Sequence, residues 1–317
     1  MTMPQARRQG YIERNIHFYR AVVRGKQQKA KPPESFEPEE ALKHIGRLSF
    51  APSGRYFEDQ GRILCAWVDS PAPRARIRLA VIRREGLPWV EEQGALKALQ
   101  IPETAGLVEQ IHIRCFGDDI VGCDFNFYGP RLTALGRYLR EKGGPSAQRV
   151  DFEPLVREDV IALMNQYGGL RLFNLRIHRS YLAALKEIDE SLAAAFQAQE
   201  QLSKAEELEI TLRPKAYSRG TLGKTMLKRA KQLARHQDVG SLASRFRVEM
   251  LPSNGGSAQE INILDDHLIS EQSIARARGR GRALDSRSAY EAIDKAYDDL
   301  AEELLKAASA AANRSAN

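Results

Sequence analysis

Alternating hydrophobic and polar positions predict strands in the first half of the chain. The segment 10–23, GYIERNIHFYRAVV, is rich in β-branched and aromatic residues, which favour strands. A strand is also predicted for 61–69, GRILCAWVD. In 74–84, Arg76 and Arg78 alternate with apolar residues, and this pattern indicates a strand with one face exposed to solvent.

The clearest hairpin of the chain is predicted at 110–128. Two strand-like runs, 109–116 and 120–128, flank the turn-forming sequence GDD at 117–119. Glycine and aspartate favour tight turns, so we expect the two runs to pair as antiparallel neighbours.

Apolar residues spaced three or four apart predict helices on either side of these strands. The segment 37–48, EPEEALKHIGRL, places its apolar residues on one face and its acidic residues in the first turn, where they complement the helix dipole. A second helix is predicted within 129–144, with Gly143 as its stop signal. The basic, proline-containing segment between residues 24 and 35 is interpreted as a linker.

Beyond residue 145, strand patterns alternate with helix patterns, as in a sheet covered by helices. The predicted strands are 150–156, 170–178, 208–214, 246–251 and 260–269. The predicted helices lie around 157–167, 180–205 and 221–237. In the second of these, one apolar stripe from Leu185 to Leu202 indicates a continuous helix packed on the sheet.

The end of the chain predicts a helix that begins at Ser288. The sequence SAYE offers a capping box, in which Ser288 caps the helix and Glu291 bonds back to it. Its apolar stripe suits packing on the body of the protein or a short helix pair, and the second option favours a homodimer. We expect the alanine-rich tail, 307–317, to be frayed.

Together these elements predict an α+β protein with mixed or antiparallel sheets and covering helices. The chain has 317 residues, about twice the usual domain length, so two domains are expected. The breaker-rich segment KGGPSAQ places the border near residue 145, which gives an N-terminal domain of 1–145 and a C-terminal domain of 146–317.

Composition places the chain among ordinary globular proteins, with 43% hydrophobic and 28% charged residues. No apolar run approaches the roughly 20 residues needed to cross a bilayer, and the start MTMPQARRQGY lacks the apolar core of a signal peptide. We therefore expect a cytoplasmic protein without membrane insertion. Its three cysteines are interpreted as free thiols.

The nearest approach to a nucleotide-binding motif is SRGTLGKT, from Ser218 to Thr225. A phosphate-binding loop requires glycine at its first position, and Ser218 stands there instead. The residues upstream, LRPKAY, do not form the apolar strand that delivers such a loop. The sequence therefore predicts no ATP or GTP binding and no other cofactor.

A zinc site is conceivable at His112, Cys115 and Cys123, which are close together in the predicted hairpin. Positions 112 and 115 have opposite parity, so their side chains point to opposite faces of a strand. A second pair of ligands is missing nearby. The cluster 265–267, DDH, is more typical of a strand end or loop, so no metal site is predicted.

Nucleophilic catalysis requires a serine or cysteine with a histidine base and an orienting acid. The sequence has no G-x-S-x-G elbow, and its six histidines are scattered. These observations favour a non-catalytic protein. An enzyme whose site is assembled from dispersed residues remains an alternative.

Basic residues suggest the leading function. Lys+Arg number 48 against Asp+Glu 41, for a net charge of +7, and two basic elements stand out: a helix with a charged face and the strip ARARGRGR. Such side chains bind phosphates with little base specificity, so we expect binding to DNA or RNA. The candidate residues are Lys224, Lys228, Arg229, Lys231, Arg235, Arg276, Arg278, Arg280 and Arg282.

A second function is a scaffold or regulatory subunit that binds another protein. The chain diffusely resembles bacterial accessory proteins of the kind found in mobile-element and antiviral-defence neighbourhoods, although no motif carries the likeness. The resemblance implies a protein partner within such a defence system, and an exposed apolar patch would distinguish this function from nucleic-acid binding.

Overall fold

A computed structural model defines most of the chain. It describes residues 10–24, 34–59, 61–126, 128–156, 164, 166–203, 205–215, 220–234, 236, 239–252, 257–278 and 283–316, without the side chains of 240, 241, 265, 266 and 313–316. The linker predicted between residues 24 and 35 and the helix predicted around 157–167 lie almost wholly outside these residues.

Helices and strands in the described residues confirm a mixed α+β protein. The strands are β1 (Tyr11–Val23), β2 (Phe57–Asp59), β3 (Arg62–Ser70), β4 (Arg76–Arg83), β5 (Trp89–Glu92), β6 (Ala95–Ala98), β7 (Leu107–Cys115), β8 (Ile120–Asp124), β9 (Val150–Pro154), β10 (Tyr167–His178), β11 (Glu207–Leu212), β12 (Ala243–Pro252), β13 (Gln259–Asn262) and β14 (Ile269–Ala275). The helices are α1 (Glu39–Arg47), α2 (Leu132–Lys142), α3 (Leu182–Ile188), α4 (Glu190–Leu202), α5 (Lys224–Ala234), α6 (Val239–Leu242) and α7 (Ser286–Ala316). None of the helices within the described ranges has the length and apolar character needed to cross a membrane.

The chain divides into two compact units. The first contains residues 1–152 and 269–301, and the second contains 153–268 and 302–317. The segment 269–301 returns to the first unit because β14 pairs with β1 over seven residues. That residues 1–145 fold as an independent domain therefore stays a prediction, since their compact unit also includes a distant part of the chain.

An eight-stranded sheet forms the body of the first unit. Its order is β14-β1-β8-β7-β4-β3-β2, with β9 paired to β1 off this path. The predicted hairpin is confirmed: β7 and β8 pair as antiparallel neighbours, with Ile113 opposite Cys123. Asp118 and Asp119 take positive φ angles in its turn. Strands β5 and β6 form a separate two-stranded sheet.

Side chains alternate between the two faces of this sheet. One face packs against α1 and α2, where Ile77 and Leu79 of β4 join Leu42 and Leu135 in a hydrophobic core. The intervening Arg78 points to the opposite face, as the alternation predicts. Part of that second face is covered by the first turns of α7. The ring of Tyr297 stacks on that of Phe116 there, with centroids 4.0 Å apart.

A four-stranded antiparallel sheet, in the order β11-β10-β12-β13, forms the body of the second unit. Its apolar face packs with α3, α4 and α5 around a core that includes Phe173, Phe196 and Phe246, each 0% exposed. The rings of Phe173 and Phe246 meet edge to face, with centroids 5.6 Å apart. Burial of this apolar area is the main stabilising contribution in the unit.

The prediction of one continuous helix after residue 180 is wrong. Two helices, α3 and α4, are separated by Asp189, whose backbone is extended. The Asp189 side chain accepts a hydrogen bond from the backbone N–H of Leu192 at 3.0 Å and so caps α4. The stripe also ends early, because Leu202 is 88% exposed. A local capping bond therefore overrides the apolar periodicity.

The start predicted for the last helix is also wrong. Helix α7 begins at Ser286, and its capping residue is Asp285, whose carboxylate accepts the backbone N–H of Ser288 at 2.9 Å. The Ser288 hydroxyl instead accepts the backbone N–H of Ala275, also at 2.9 Å. The helix continues to Ala316, and Ala307 and Ala310 are buried. Fraying of the tail stays a prediction.

The strand predicted for 260–269 is interrupted. Strand β13 ends at Asn262, and a single 3₁₀ turn, Ile263–Asp266, follows before β14 begins at Ile269. The interruption is required because β13 belongs to the four-stranded sheet and β14 to the eight-stranded sheet. Periodicity along the chain does not reveal such a change of sheet.

Candidate functional site

An arginine-lined cavity of about 300 Å³ lies in the first unit. Helix α2 contributes one wall, and the residues at the end of β1 and the start of β9 contribute the rest. The lining residues are Arg24, Thr133, Gly136, Arg137, Arg140, Arg149, Val150 and Asp151. Four arginines and one aspartate are therefore among the residues that line this space.

Gly136 allows α2 to approach β9 closely enough to form the cavity. A Cβ atom at this position would lie 2.4 Å from the backbone oxygen of Val150, far inside van der Waals contact. Position 136 is buried, so a larger side chain would have to push the helix away from the strand. The wall that carries Arg137 and Arg140 is thus fixed by a residue without a side chain.

Two of the four arginines have carboxylate partners. Arg137 donates from Nε and Nη2 to Asp59, with distances of 2.7 to 3.1 Å. Arg24 donates from Nε to Asp151 at 2.9 Å, and both side chains are more than half exposed. Arg140 and Arg149 are exposed, and neither has a carboxylate partner among the described residues. These two carry the uncompensated positive charge of the cavity.

The basic helix predicted from the sequence is α5, in the second unit. Lys224 and Lys228 are exposed on it, and Lys231 is half-buried. Arg229 is used structurally, because its Nε lies 3.2 Å from the Asp189 carboxylate and its Nη2 donates to Ser191 at 2.9 Å. Arg235 lies outside the described residues.

The arginine strip belongs to the first unit. Arg276 and Arg278 are exposed, whereas Arg280 and Arg282 lie outside the residues that the structure describes. Backbone bonds from Ala277 to Ala283 and from Asp285 to Ala275 pair residues 275–277 with residues 283–285 before α7. The two predicted basic elements thus belong to different compact units.

The segment resembling a phosphate-binding loop, 218–225, follows β11 in the chain and includes the start of α5. Residues 216–219, which include Ser218, lie outside the described residues. Downstream, Leu222 forms an isolated antiparallel bridge with Leu170, and α5 begins at Lys224. The structure therefore does not test whether a nucleotide binds here, and the absence of nucleotide binding stays a prediction.

The three cysteines are buried, and none of them is in a disulfide bond. Cys115 and Cys123 pack in the core beneath α1 and α2, on the opposite face of β7 from His112. Burial raises the pKa of the Cys115 thiol to about 12 and that of Cys65 to about 11. Within the described part of the chain, no cluster of three or more His, Cys, Asp and Glu side chains is arranged to hold a metal ion.

A buried polar network lies on the opposite face of the large sheet, below the start of α7. His112, which is fully buried on β7, connects Asp124 of β8 with Ser286 of α7. Its Nδ1 lies 3.2 Å from Asp124 Oδ1, and its Nε2 lies 3.1 Å from Ser286 Oγ. An ionised carboxylate only accepts hydrogen bonds, so Nδ1 donates to Asp124; in a neutral ring, Nε2 then accepts from the serine hydroxyl.

Tyr290, one helical turn after Ser286, packs against this network. Its ring meets the His112 ring edge to face at 5.5 Å, and its hydroxyl donates to Asp69 Oδ2 at 2.9 Å. Burial, followed by the nearby Asp69 carboxylate, raises the pKa of Tyr290 well above its ordinary value. Asp69 in turn binds Arg78 through both carboxylate oxygens. Tyr290 is therefore a neutral hydrogen-bond donor that is held in place.

Neither the cavity lined by arginines nor the polar network around His112 was predicted from the sequence. Arg137 and Arg140 are three residues apart on one predicted helix face, and this spacing was the signal for the cavity. Arg24 and Arg149 gave no such signal, because they approach that face only in the folded chain. The polar network is assembled from positions 112, 124 and 286, so its geometry is purely tertiary.

Comparisons with known proteins add no functional assignment to this geometry. No protein-family model matches the chain, and no curated protein matches it.

Proposed function

We propose that this protein binds nucleic acid through phosphate contacts, with the arginine-lined cavity of the first unit as the main contact. The observation that carries the proposal is that four arginines line one cavity of about 300 Å³. A guanidinium group offers planar, paired donors that match the oxygens of a phosphate.

Arg140 and Arg149 are the principal phosphate ligands in this proposal. Both are exposed and lack a carboxylate partner among the described residues, so a phosphate does not have to displace an ion pair from them. Arg24 and Arg137 are partly neutralised by Asp151 and Asp59 and orient the cavity walls. Contacts of this kind read the backbone and carry little base specificity.

The basic residues singled out in the sequence contribute secondary contacts in this proposal. Exposed Arg276 and Arg278 of the strip suit a segment that follows phosphates, and exposed Lys224 and Lys228 suit a peripheral contact. Arg229 contributes less, because Asp189 and Ser191 occupy its guanidinium group.

Binding to labelled single strands and duplexes is expected to weaken steeply with salt. Four phosphate contacts on B-DNA, from Arg140, Arg149, Arg276 and Arg278, give a logarithmic slope of about −3.6, which corresponds to roughly 150-fold weaker binding at 200 mM than at 50 mM salt. Replacing Arg140 and Arg149 together by alanine removes two contacts and should reduce the slope to about −1.8. Fluorescence anisotropy across this salt range measures both quantities.

The matched control replaces Arg287 and Lys306 by alanine. Both are exposed residues of α7 in ion pairs four residues apart, and neither lines the cavity. This variant loses the same formal charge and should keep the wild-type slope to within about half a contact. No binding at 50 mM salt would refute the proposal. The cavity variant could instead keep wild-type affinity while a second variant, with alanine at Arg276, Arg278, Arg280 and Arg282, loses affinity. That result would show that the strip, and not the cavity, is the binding site.

A protein partner is the second candidate function, favoured by the β5–β6 hairpin. Trp89 is 68% exposed and Leu96 70% exposed, and neighbouring large apolar side chains on a surface often mark a protein interface. The homodimer expected from the sequence, and a role as a scaffold or regulatory subunit in a defence system, stay proposals. Light scattering at micromolar concentration tests the homodimer, and a monomer mass would count against it.

A further inference from the structure

The network of Ser286, His112 and Asp124 has the connectivity of a nucleophile, a base and an orienting acid. The serine hydroxyl lies 3.1 Å from His112 Nε2, and the carboxylate lies 3.2 Å from Nδ1 of the same ring. Both distances lie within the hydrogen-bond reach of about 2.6–3.2 Å that nucleophilic catalysis requires. The three side chains all belong to the first unit.

Burial fixes the base in one orientation. His112 is 0% exposed, and its own backbone N–H donates to Asp124 Oδ1 at 2.5 Å, so the carboxylate is held by both the backbone and the ring. The second oxygen, Asp124 Oδ2, is buried and has no hydrogen-bond partner among the described residues.

The serine occupies a position suited to attack. Ser286 is half-buried, whereas its two partners are fully buried, so it is the member of the network that is in contact with solvent. It is also the first residue of α7, and the first backbone N–H groups of a helix have no acceptor within the helix. One of these donors, the N–H of Ser288, is bound by the Asp285 carboxylate, which caps the helix.

We propose that Ser286 is the nucleophile of a hydrolytic site that acts on carboxylic esters, with His112 as general base and Asp124 as the residue that positions the histidine. Ser286 Oγ forms a bond to the ester carbonyl carbon, and its proton passes to His112 Nε2. The bond from that carbon to the alcohol oxygen breaks, and His112 returns the proton to the alcohol. Water then attacks the acyl-serine and transfers a proton to His112. The bond to Oγ breaks, Ser286 regains its proton, and a carboxylic acid leaves.

The proposal is tested with a fluorophosphonate probe, which forms a covalent bond with an activated serine. Incubation of the full chain should give one adduct per molecule, and peptide mapping by mass spectrometry should place it on Ser286. The adduct should disappear in Ser286→Ala. In Ser288→Ala, which removes the hydroxyl of the next serine in the same turn, labelling should continue at the wild-type rate. Heat-denatured protein should not react at Ser286.

Two further variants examine the roles of the partners. His112→Gln should slow labelling by about 100-fold or more, since a positioned general base contributes a factor of this size. Asp124→Asn should lower kcat on p-nitrophenyl acetate by about 10⁴-fold with KM unchanged, because the histidine loses its correct tautomer and orientation while binding is unaffected. A loss of packing alone does not lower kcat while leaving KM unchanged. Circular dichroism confirms that each variant is folded.

Mapping the adduct in the wild-type protein tests whether Ser286 is a nucleophile, even if a variant fails to fold. An unlabelled Ser286 in the folded wild type would overturn the proposal, as would equal labelling in native and denatured protein. Retained p-nitrophenyl acetate hydrolysis in folded Ser286→Ala would do so too. None of these results depends on nucleic-acid binding, so the two proposals can fail independently.

Discussion

Replacing Phe246 with alanine is expected to lower the free energy of unfolding of the second unit by about 4 kcal/mol, in the middle of the range for buried phenylalanines. Phe246 is 0% exposed on β12 and packs edge to face against Phe173 of the neighbouring β10. Alanine would remove that contact and leave a cavity that the sheet and its covering helices cannot fill. Urea denaturation, combined with hydrogen exchange of the β10 and β12 amides, measures the loss.

The control for this prediction is Leu202→Ala in the same unit. Leu202 is 88% exposed at the end of α4, so its replacement should change the unfolding free energy by less than about 0.5 kcal/mol. A comparable loss in both variants would contradict the assignment of Phe246 to a closely packed core.

Acidification is expected to destabilise the protein through His267. This side chain is 7% exposed, and burial lowers the pKa of its imidazole from 6.5 to about 4. The folded protein therefore keeps His267 neutral at pH values where the unfolded chain protonates it. Its contribution is complete above pH 6.5 and is lost as the pH falls towards 4, a difference of about 3 kcal/mol.

The variant His267→Gln isolates this contribution. Glutamine has no titrating group, and its amide can replace the hydrogen bond that the imidazole donates to the backbone carbonyl of Ala234. Between pH 7 and pH 4, the variant should lose about 3 kcal/mol less unfolding free energy than the wild type. A His178→Gln control leaves the buried imidazole in place and should show the wild-type loss. Equal losses in wild type and His267→Gln would contradict the prediction.

Much of the fold could be predicted where the signal is local. The hairpin at 117–119 was predicted correctly because turn residues separate two strand patterns, and both aspartates adopt the positive φ angles that this turn requires. Alternation in β4 correctly separated buried Ile77 and Leu79 from Arg78. In each case the physical cause, turn chemistry or side-chain parity, acts over a few residues.

The incorrect boundaries have a common origin in competing hydrogen bonds. An apolar stripe predicted one helix after residue 180, but the Asp189 carboxylate caps α4 and divides it. A capping box predicted a start at Ser288, but Asp285 accepts that residue's N–H, and the Ser288 hydroxyl is engaged by β14 through Ala275. Several side chains near a helix end can serve as caps, and the neighbouring strand decides between them.

The candidate sites divide in the same way. The sequence identified exposed basic residues such as Lys228 and Arg278, because charge is visible in composition. It gave no sign that Arg24 and Arg149 share a cavity with α2, or that His112 lies between Asp124 and Ser286. The polar network joins positions 174 residues apart, and no local pattern encodes such a distance.

The sequence by itself determined the α+β class, most strands and the basic character of the chain, since periodicity, propensity and charge are properties of neighbouring residues. Only the tertiary structure decided that 269–301 joins the first unit, that Gly136 brings α2 onto β9, and that a serine meets a buried histidine. These features arise when distant segments bury their apolar faces together, and the polar groups carried along must then find their partners in space.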